Sequence, residues 1–351
     1  MTPEQKEKYS RQILFAGFGA EAQERLLAAS AVLVGCGALG TAQAGLLARA
    51  GLGRLRIIDR DFVEPSNLQR QTLFEEADAR EALPKAIAAQ RRLQAINSDV
   101  HVDAVVADVT PRNALELLRG FPVILDGTDN FETRFLLNDA AIHLGVPWIY
   151  GAAVGSYGLT MTVVPGETAC LACLLESEEG ERAAAAEETC DTVGVLGAAV
   201  GVMASLQVAE AMKLLGGCQD ALHGRLLSCD VWSGRSQSVR VARRPDCRAC
   251  GRRDFVYLHG EAQPHVTLCG RDSVQIHQRS RRLDLQELAR RVGATATNVR
   301  SNDFLLQFRV PGPGGNGTGY QVTVFSDGRA VFKGTTDPAV ARSLYARYIG
   351  A

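Results

Sequence analysis

Long hydrophobic runs, an apolar leader, an excess of charge of either sign and an even set of cysteines are all missing from this chain, and each absence narrows its function. No stretch reads as the roughly 18 consecutive apolar residues of a membrane span. Met1 to Ser10 is polar and charged, without the apolar segment of a secretion signal. A cytoplasmic location with no membrane partner is therefore expected. Lys and Arg number 38 against 39 Asp and Glu, a net charge of -1 that gives no global attraction to nucleic acid, so no nucleic-acid partner is expected. Nine cysteines, an odd count, favour metal binding and catalysis over a disulfide framework. With 46% hydrophobic and 22% charged residues, disordered and collagen-like classes are excluded too.

The 351 residues suffice for one large α/β domain and a smaller one. Ala31-Val32-Leu33-Val34 is a β-branched run that ends at Gly35-Cys36-Gly37-Ala38-Leu39-Gly40, and the Ala/Leu-rich stretch from Thr41 to Ala50 favours a helix. Leu55 to Asp59 completes a βαβ unit. A helix over Lys85 to Ile96, a strand over His101 to Val106 and a strand over Pro122 to Leu125 follow. Trp148 to Val164 and Gly224 to Val241 read as antiparallel strands extending the sheet, on either side of a mostly buried helix from Gly197 to Leu215. Glu176 to Glu188 has no apolar stripe and reads as a crossing segment.

The expected fold is α/β, a Rossmann-like mixed sheet built on βαβ units over residues 1–253. A linker over 254–265 and a small α+β domain over 266–351 follow it. In the small domain we expect a strand over Val266 to Ile276, a helix over Leu283 to Val292, a hairpin of Phe304 to Val310 with Gly319 to Phe325, and a closing helix capped by Asp337-Pro338.

Four cysteines form two Cys-x-x-Cys pairs, Cys170/Cys173 and Cys247/Cys250. A two-residue spacer lets both sulfurs of a pair face one ion, so the pairs predict a closed tetrahedral zinc site without an open catalytic position. Redox-active pairs are the other chemistry such spacing serves. Cys190, in Thr189-Cys190-Asp191, stands between them as a spare thiol, either reactive or merely loop-borne. Cys36 reads as a small residue that fits its loop, and Cys218 and Cys229 as packing residues.

The Gly35 to Gly40 loop permits a tight turn and close approach of a phosphate to a helix N-terminus. On its own it serves dinucleotide enzymes equally, and Asp59 at ribose-binding spacing suits NAD or ATP. Ser66-Asn67-Leu68-Gln69-Arg70-Gln71 and Lys85 discriminate. They concentrate amide and cationic groups where a triphosphate attacked at its α-phosphorus builds charge on pyrophosphate. Asp129, in Asp126-Gly127-Thr128-Asp129, ends a strand where a carboxylate would hold Mg²⁺. Singly, Arg70 and Lys85 also read as solvated charges and Asp129 as a turn residue; their joint placement at strand ends favours the site. Nucleotide, structural metal and spare thiol together suggest ATP-dependent activation of a carboxylate.

Tyr9-Ser10-Arg11-Gln12, Gly35 to Gly40, Asp59-Arg60-Asp61, Ser66 to Gln71, Lys85, Asp126 to Asn130 and the two Cys pairs occur in order over residues 5 to 252. On these motifs the chain resembles the ThiF/MoeB family. Its members are bacterial relatives of ubiquitin-activating enzymes that adenylate the C-terminal Gly-Gly of a small ubiquitin-fold sulfur carrier. The resemblance implies ATP, Mg²⁺ and structural Zn²⁺ as cofactors, and a homodimer in which Arg11 reaches the partner subunit's ATP. It puts Arg70 and Lys85 on the phosphates, Asp59 on the ribose and Asp129 on magnesium. Gly35, Gly37, Ala38, Gly40, Asp61, Ser66, Asn67 and Asn130 complete the nucleotide site. Ala38 stands where the family usually has glycine, and its backbone N–H survives the change. Cys190 takes the position of the family's reactive cysteine, as a thioester, as an acyl disulfide or dispensable for adenylation. A sulfurtransferase or cysteine desulfurase is a further implied partner.

The implied product is a carrier thiocarboxylate for thiamine thiazole or molybdopterin synthesis. Thr189 to Gly197 and the C-terminal extension favour thiamine. Adenylating dehydratases acting on a modified tRNA nucleoside share the first half but have no need of both Cys pairs, and an NAD(P)-dependent oxidoreductase has little use for Arg70 and Lys85. A non-catalytic relative would require a broken ATP site. Cys269-Gly270-Arg271-Asp272 could form a rhodanese-like loop, but the module is short and its element order differs, so Cys269 reads as a core cysteine.

Overall fold

Alternation along short β-branched strands splits the first core in two. In Ser30–Val34 (β1), Ala31 and Leu33 point to one face of the sheet and Val32 and Val34 to the other, as a two-residue period requires. Arg54–Asp59 (β2) and Ile124–Asp126 (β4) flank β1 in parallel, His101–Val106 (β3) lies outside β2, and Trp148–Val154 (β5) lies beyond β4. Three antiparallel strands extend the sheet: Tyr157–Val163 (β6), Leu226–Asp230 (β7) and Arg235–Val239 (β8). The order is β3-β2-β1-β4-β5-β6-β7-β8. The chain thus leaves β1 in opposite directions toward β2 and β4, and the crevice at the carboxyl ends of β1 and β4 is the topological switch point.

Helices Gly19–Ala28, Ala38–Ala50, Lys85–Ile96 and Gly197–Gly216 cover one face of this sheet, and Ala114–Leu118, Phe131–Leu144 and Leu171–Leu175 cover the other. The helix Gly197–Gly216 is long and apolar enough to cross a membrane, although Ser205, Gln207, Glu210 and Lys213 interrupt its apolar residues. About half of it is buried within the protein, with Val200, Met203, Val208 and Ala211 in the core. The apolarity therefore has an internal use.

This computed structural model describes residues 1–176, 193–260, 267–268, 273–277, 283–312 and 319–350. The chain divides into two compact units, Met1–Ala262 and Gln263–Ala351. Most of the expected crossing segment, with Cys190, and the Cys269 to Asp272 loop lie outside the described residues.

The second unit is an antiparallel sheet of Thr267–Leu268 (β9), Ser273–His277 (β10), Thr297–Ser301 (β11), Leu305–Val310 (β12), Tyr320–Phe325 (β13) and Arg329–Lys333 (β14), ordered β11-β12-β13-β14-β10-β9. Helices Leu285–Val292 and Pro338–Tyr348 share one core with Leu306, Phe308, Val322, Val324 and Phe332. Asp284 caps the first by accepting from the Gln286 and Glu287 N–H groups, and Asp337 the second by accepting from the Ala339 N–H. The single strand expected from Val266 to Ile276 is two paired strands, and the expected hairpin is the middle of a meander to which β11 and β14 add.

Candidate nucleotide and metal sites

Three glycines bring the ends of β1 and β4 together. Gly35 has φ +86°, and a Cβ there would sit 2.6 Å from the Gly127 carbonyl oxygen. A Cβ on Gly127 or on Gly40 would in turn collide with the Gly35 carbonyl oxygen. These glycines are therefore needed to seat the helix Ala38–Ala50 against the switch point. Gly37 differs, since a Cβ there would meet nothing nearer than Gln71 Nε2 at 3.9 Å, so its backbone faces open space where a phosphate can approach. Ala38 is the first residue of the helix.

Asp59 ends β2 beneath this loop. Its carboxylate accepts from the Cys36 N–H at 2.6 Å and from the Asp61 N–H at 2.7 Å, so it fixes the phosphate loop from below. Burial pushes the Asp59 carboxyl up, and Lys85 opposes that shift. Lys85 is itself buried and donates from Nζ to Asp61 at 3.2 Å, while its backbone N–H bonds the Asp61 carbonyl at 2.9 Å. The N-terminus of the helix Lys85–Ile96 is thereby pinned to the exit of β2. Burial works against the charge on Arg60, but Asp108 at 3.0 Å, Asp61 and Asp129 hold it firmly protonated.

Asp129 is exposed at the carboxyl end of β4, free to meet a cation from solvent. Asn130 caps the helix Phe131–Leu144 by accepting from the Thr133 N–H at 2.9 Å, and its Nδ2 donates to Asp129 at 3.3 Å. It thus orients the acid as well as starting the helix. Asn67 is buried in the turn that presents Arg70, accepting from the Glu64 N–H through its side chain and from Arg70 and Gln71 N–H through its carbonyl. Arg70 donates to the Ser66 carbonyl at 2.9 Å and stays accessible, beside the start of the helix Gly197–Gly216. Ser66 is exposed in the same turn. Arg11 is exposed in the short helix Ser10–Ile13 and joins none of these bonds.

Sequence reasoning missed Arg134. It is buried, donates from Nη2 to the Thr128 carbonyl at 2.7 Å and lies 3.6 Å from the fully buried Asp126, between the rings of Phe131 and Tyr150. Burial raises the Asp126 carboxyl and Arg134 opposes it. The helix Phe131–Leu144 also carries Glu132, Asn138, Asp139 and His143, so Arg134 did not stand out as its lone charge and no local signal marked it. Arg134→Met should destabilise the protein by about 3 kcal/mol, because it strands a buried carboxylate. Urea unfolding checks this, and a change under 1 kcal/mol would show that the pair is dispensable.

The four cysteines of the two pairs converge, all buried, with every sulfur within 4.8 Å of the others. Cys170 Sγ is 3.9 Å from Cys173 and 3.7 Å from Cys247, and Cys173 is 3.4 Å from Cys250. Four thiolates about 2.3 Å from one zinc ion stand roughly 3.8 Å apart in a tetrahedron, so this donor set fits the metal. The Arg244 N–H points at Cys173 Sγ from 3.5 Å. Burial and the neighbouring Cys173 push the Cys250 thiol up to about 11, a penalty that a bound cation would reverse. Arg248, between Cys247 and Cys250, holds Asp139 of the helix Phe131–Leu144 with two bonds of 3.1 Å and also Glu176 at 3.0 Å.

Comparison with known proteins places these features in a family. The ThiF family model matches residues 9–249. The Bacillus subtilis sulfur carrier protein ThiS adenylyltransferase is 46% identical over 98% of this chain and 99% of its own. A sulfur carrier protein adenylyltransferase of Thermus thermophilus is 40% identical over 71% of this chain and 92% of its own. Among solved structures, E. coli MccB with ATP superposes with a TM-score of 0.61 at 24% identity, over 72% of this chain and 76% of that one, a likeness of fold.

Proposed function

The chain belongs to the ThiF family, and from that premise we propose that it is an ATP-dependent adenylyltransferase acting on the C-terminal Gly-Gly carboxylate of a small ubiquitin-fold sulfur carrier. The observation that carries this reading is the convergence at one switch point of a stripped glycine loop, the Asp59–Lys85–Asp61 cluster and the exposed Asp129. A carboxylate is a poor electrophile. Attack of its oxygen on the α-phosphorus of ATP forms the acyl adenylate and expels pyrophosphate. Sulfide then attacks the acyl carbon and displaces AMP, leaving a thiocarboxylate; a persulfide would displace AMP to leave an acyl disulfide, which a second thiol cleaves to the thiocarboxylate and a new disulfide. Lys85 and Arg70 stabilise the charge that collects on pyrophosphate, and Asp59 binds the ribose. Asp129 would hold the magnesium that neutralises the phosphates, and the four buried cysteines would hold a structural zinc ion.

Arg11 is assigned to the partner subunit's ATP in a homodimer; its exposure, with no side-chain bond or ion pair among the described residues, suits a group reserved for another chain. A ThiS-type carrier and thiamine synthesis are favoured over molybdopterin synthesis, because the likeness to the ThiS adenylyltransferase runs through the second unit as well. A cytoplasmic site of action and a sulfurtransferase or cysteine desulfurase as sulfur donor complete the proposal. Cys190 is the group to which the acyl or sulfur intermediate would attach.

Carrier-dependent ATP–pyrophosphate exchange tests it. Exchange is expected with a carrier ending in Gly-Gly and absent with the tail removed. A carrier-independent rate, or exchange supported equally by the truncated protein, would sink the assignment.

A further inference from the structure

The second unit carries charge unlike the rest of the chain. Residues 263–351 include twelve Lys and Arg against six Asp and Glu, in a protein whose net charge is -1. The antiparallel register gathers part of that surplus on the sheet face turned away from the helices. Arg309, Gln321 and Lys333 pair across β12, β13 and β14 in one row, and Arg300, Gln307 and Thr323 form the next row across β11, β12 and β13. No carboxylate stands in either row.

β11 does not continue this lattice regularly. Its register with β12 shifts between Thr297 and Arg300, and Asn298 takes φ +53°, so the edge strand bends and opens a cavity of about 360 Å³. Asn298, Arg300, Gln307, Arg309 and Gln321 line it. Gln307 is steadied by its bond to Thr323 Oγ1 at 3.2 Å. Arg300 and Arg309 make no ion pair among the described residues.

We propose that this cleft binds a phosphate-bearing small molecule, a phosphomonoester or a diphosphate. Its volume falls at the lower end of small-molecule sites. Among the described residues its lining includes one apolar residue, Phe308, whose buried ring packs in the core with the helices and offers little to a hydrophobic ligand. Among the described residues the lining has no acid to hold a cation. Two guanidiniums alone bring about ten N–H donors, more than twice the roughly four acceptor positions of a single carboxylate. A tetrahedral phosphate can accept from both forks at once, with the carboxamides completing its shell.

The test uses the full chain and follows the side-chain amide signals of Asn298, Gln307 and Gln321 by NMR during titration with inorganic phosphate and then pyrophosphate. Saturable shifts at these amides are expected. The exposed pair Arg300→Gln/Arg309→Gln should weaken them about tenfold or more, with carrier-dependent exchange unchanged. A control pair on the helices, Arg290→Gln/Arg342→Gln, should leave them as they are. Pyrophosphate bound more tightly than phosphate would assign a diphosphate, and equal binding a phosphomonoester. Absence of shifts at millimolar ligand, equal weakening by the control pair, or saturation by a single-stranded oligonucleotide and not by pyrophosphate would each overturn the proposal.

Discussion

Lys85→Met is expected to lower carrier-dependent ATP–pyrophosphate exchange by about 10²–10³-fold, the usual consequence of removing one preorganised charge from a developing oxyanion. The side chain is 4% exposed, so water cannot replace the lost ammonium. It also balances two acids. Asp59 is pushed up by burial and by Asp61, and held down by Lys85. Without that cation the Asp59 carboxyl should rise further, favouring its protonated form and weakening the acceptor that fixes the Cys36 N–H. ATP binding measured beside exchange separates the two effects. If binding and exchange both stay within a factor of three of the parent, Lys85 is a buried structural ion and the catalytic assignment fails.

Removal of the metal should lower the unfolding temperature of the protein by about 10 °C or more. The cysteine cluster joins chain segments 77 residues apart, and tethering a loop of that size in the unfolded state is worth about 4–5 kcal/mol. At about 2–4 °C per kcal/mol for a unit of this size, the closure term alone gives that shift, before the metal–sulfur bonds are counted. Rebinding zinc should release protons, because burial holds the Cys250 thiol at about 11 and the thiolate is the ligand. Affinity therefore rises with pH. Calorimetry of chelator-treated and zinc-restored protein checks both, and identical unfolding curves would leave the cluster without a metal role. Cys173→Ser should resemble the chelated protein.

The strands that frame the nucleotide crevice were legible in the sequence. β1, β2 and β4 are short β-branched or aliphatic runs cut off by glycine or aspartate, and nothing in the tertiary structure contradicts those signals. β11 was not legible: Thr-Asn-Val-Arg-Ser is exposed throughout and bends at Asn298, so it shows no alternation. β14 escaped for another reason, being five residues long and specified by the Asp327-Gly328 turn more than by its own composition. Spacing predicted the convergence of the four cysteines and singled out Asp59, Lys85 and Asp129 for the proposed nucleotide site. It could not show that Asp59 already accepts two backbone N–H groups, that Asn130 is a helix cap, or that Arg134 braces the loop before Asp129. Those roles depend on which strand lies beside which, information absent from any local window.

The helix Phe131–Leu144 begins at the acid proposed for magnesium and carries, two turns on, the Asp139 carboxylate gripped by Arg248 of the cysteine cluster. From Asn130 to Asp139 the helix rises about 13 Å, too far for the two centres to share a ligand. They can share only alignment. With zinc in the cluster, loss of the ion would loosen Arg248 and through it Asp139, so a change at one end of this rod would be felt as misalignment of Asp129 at the other.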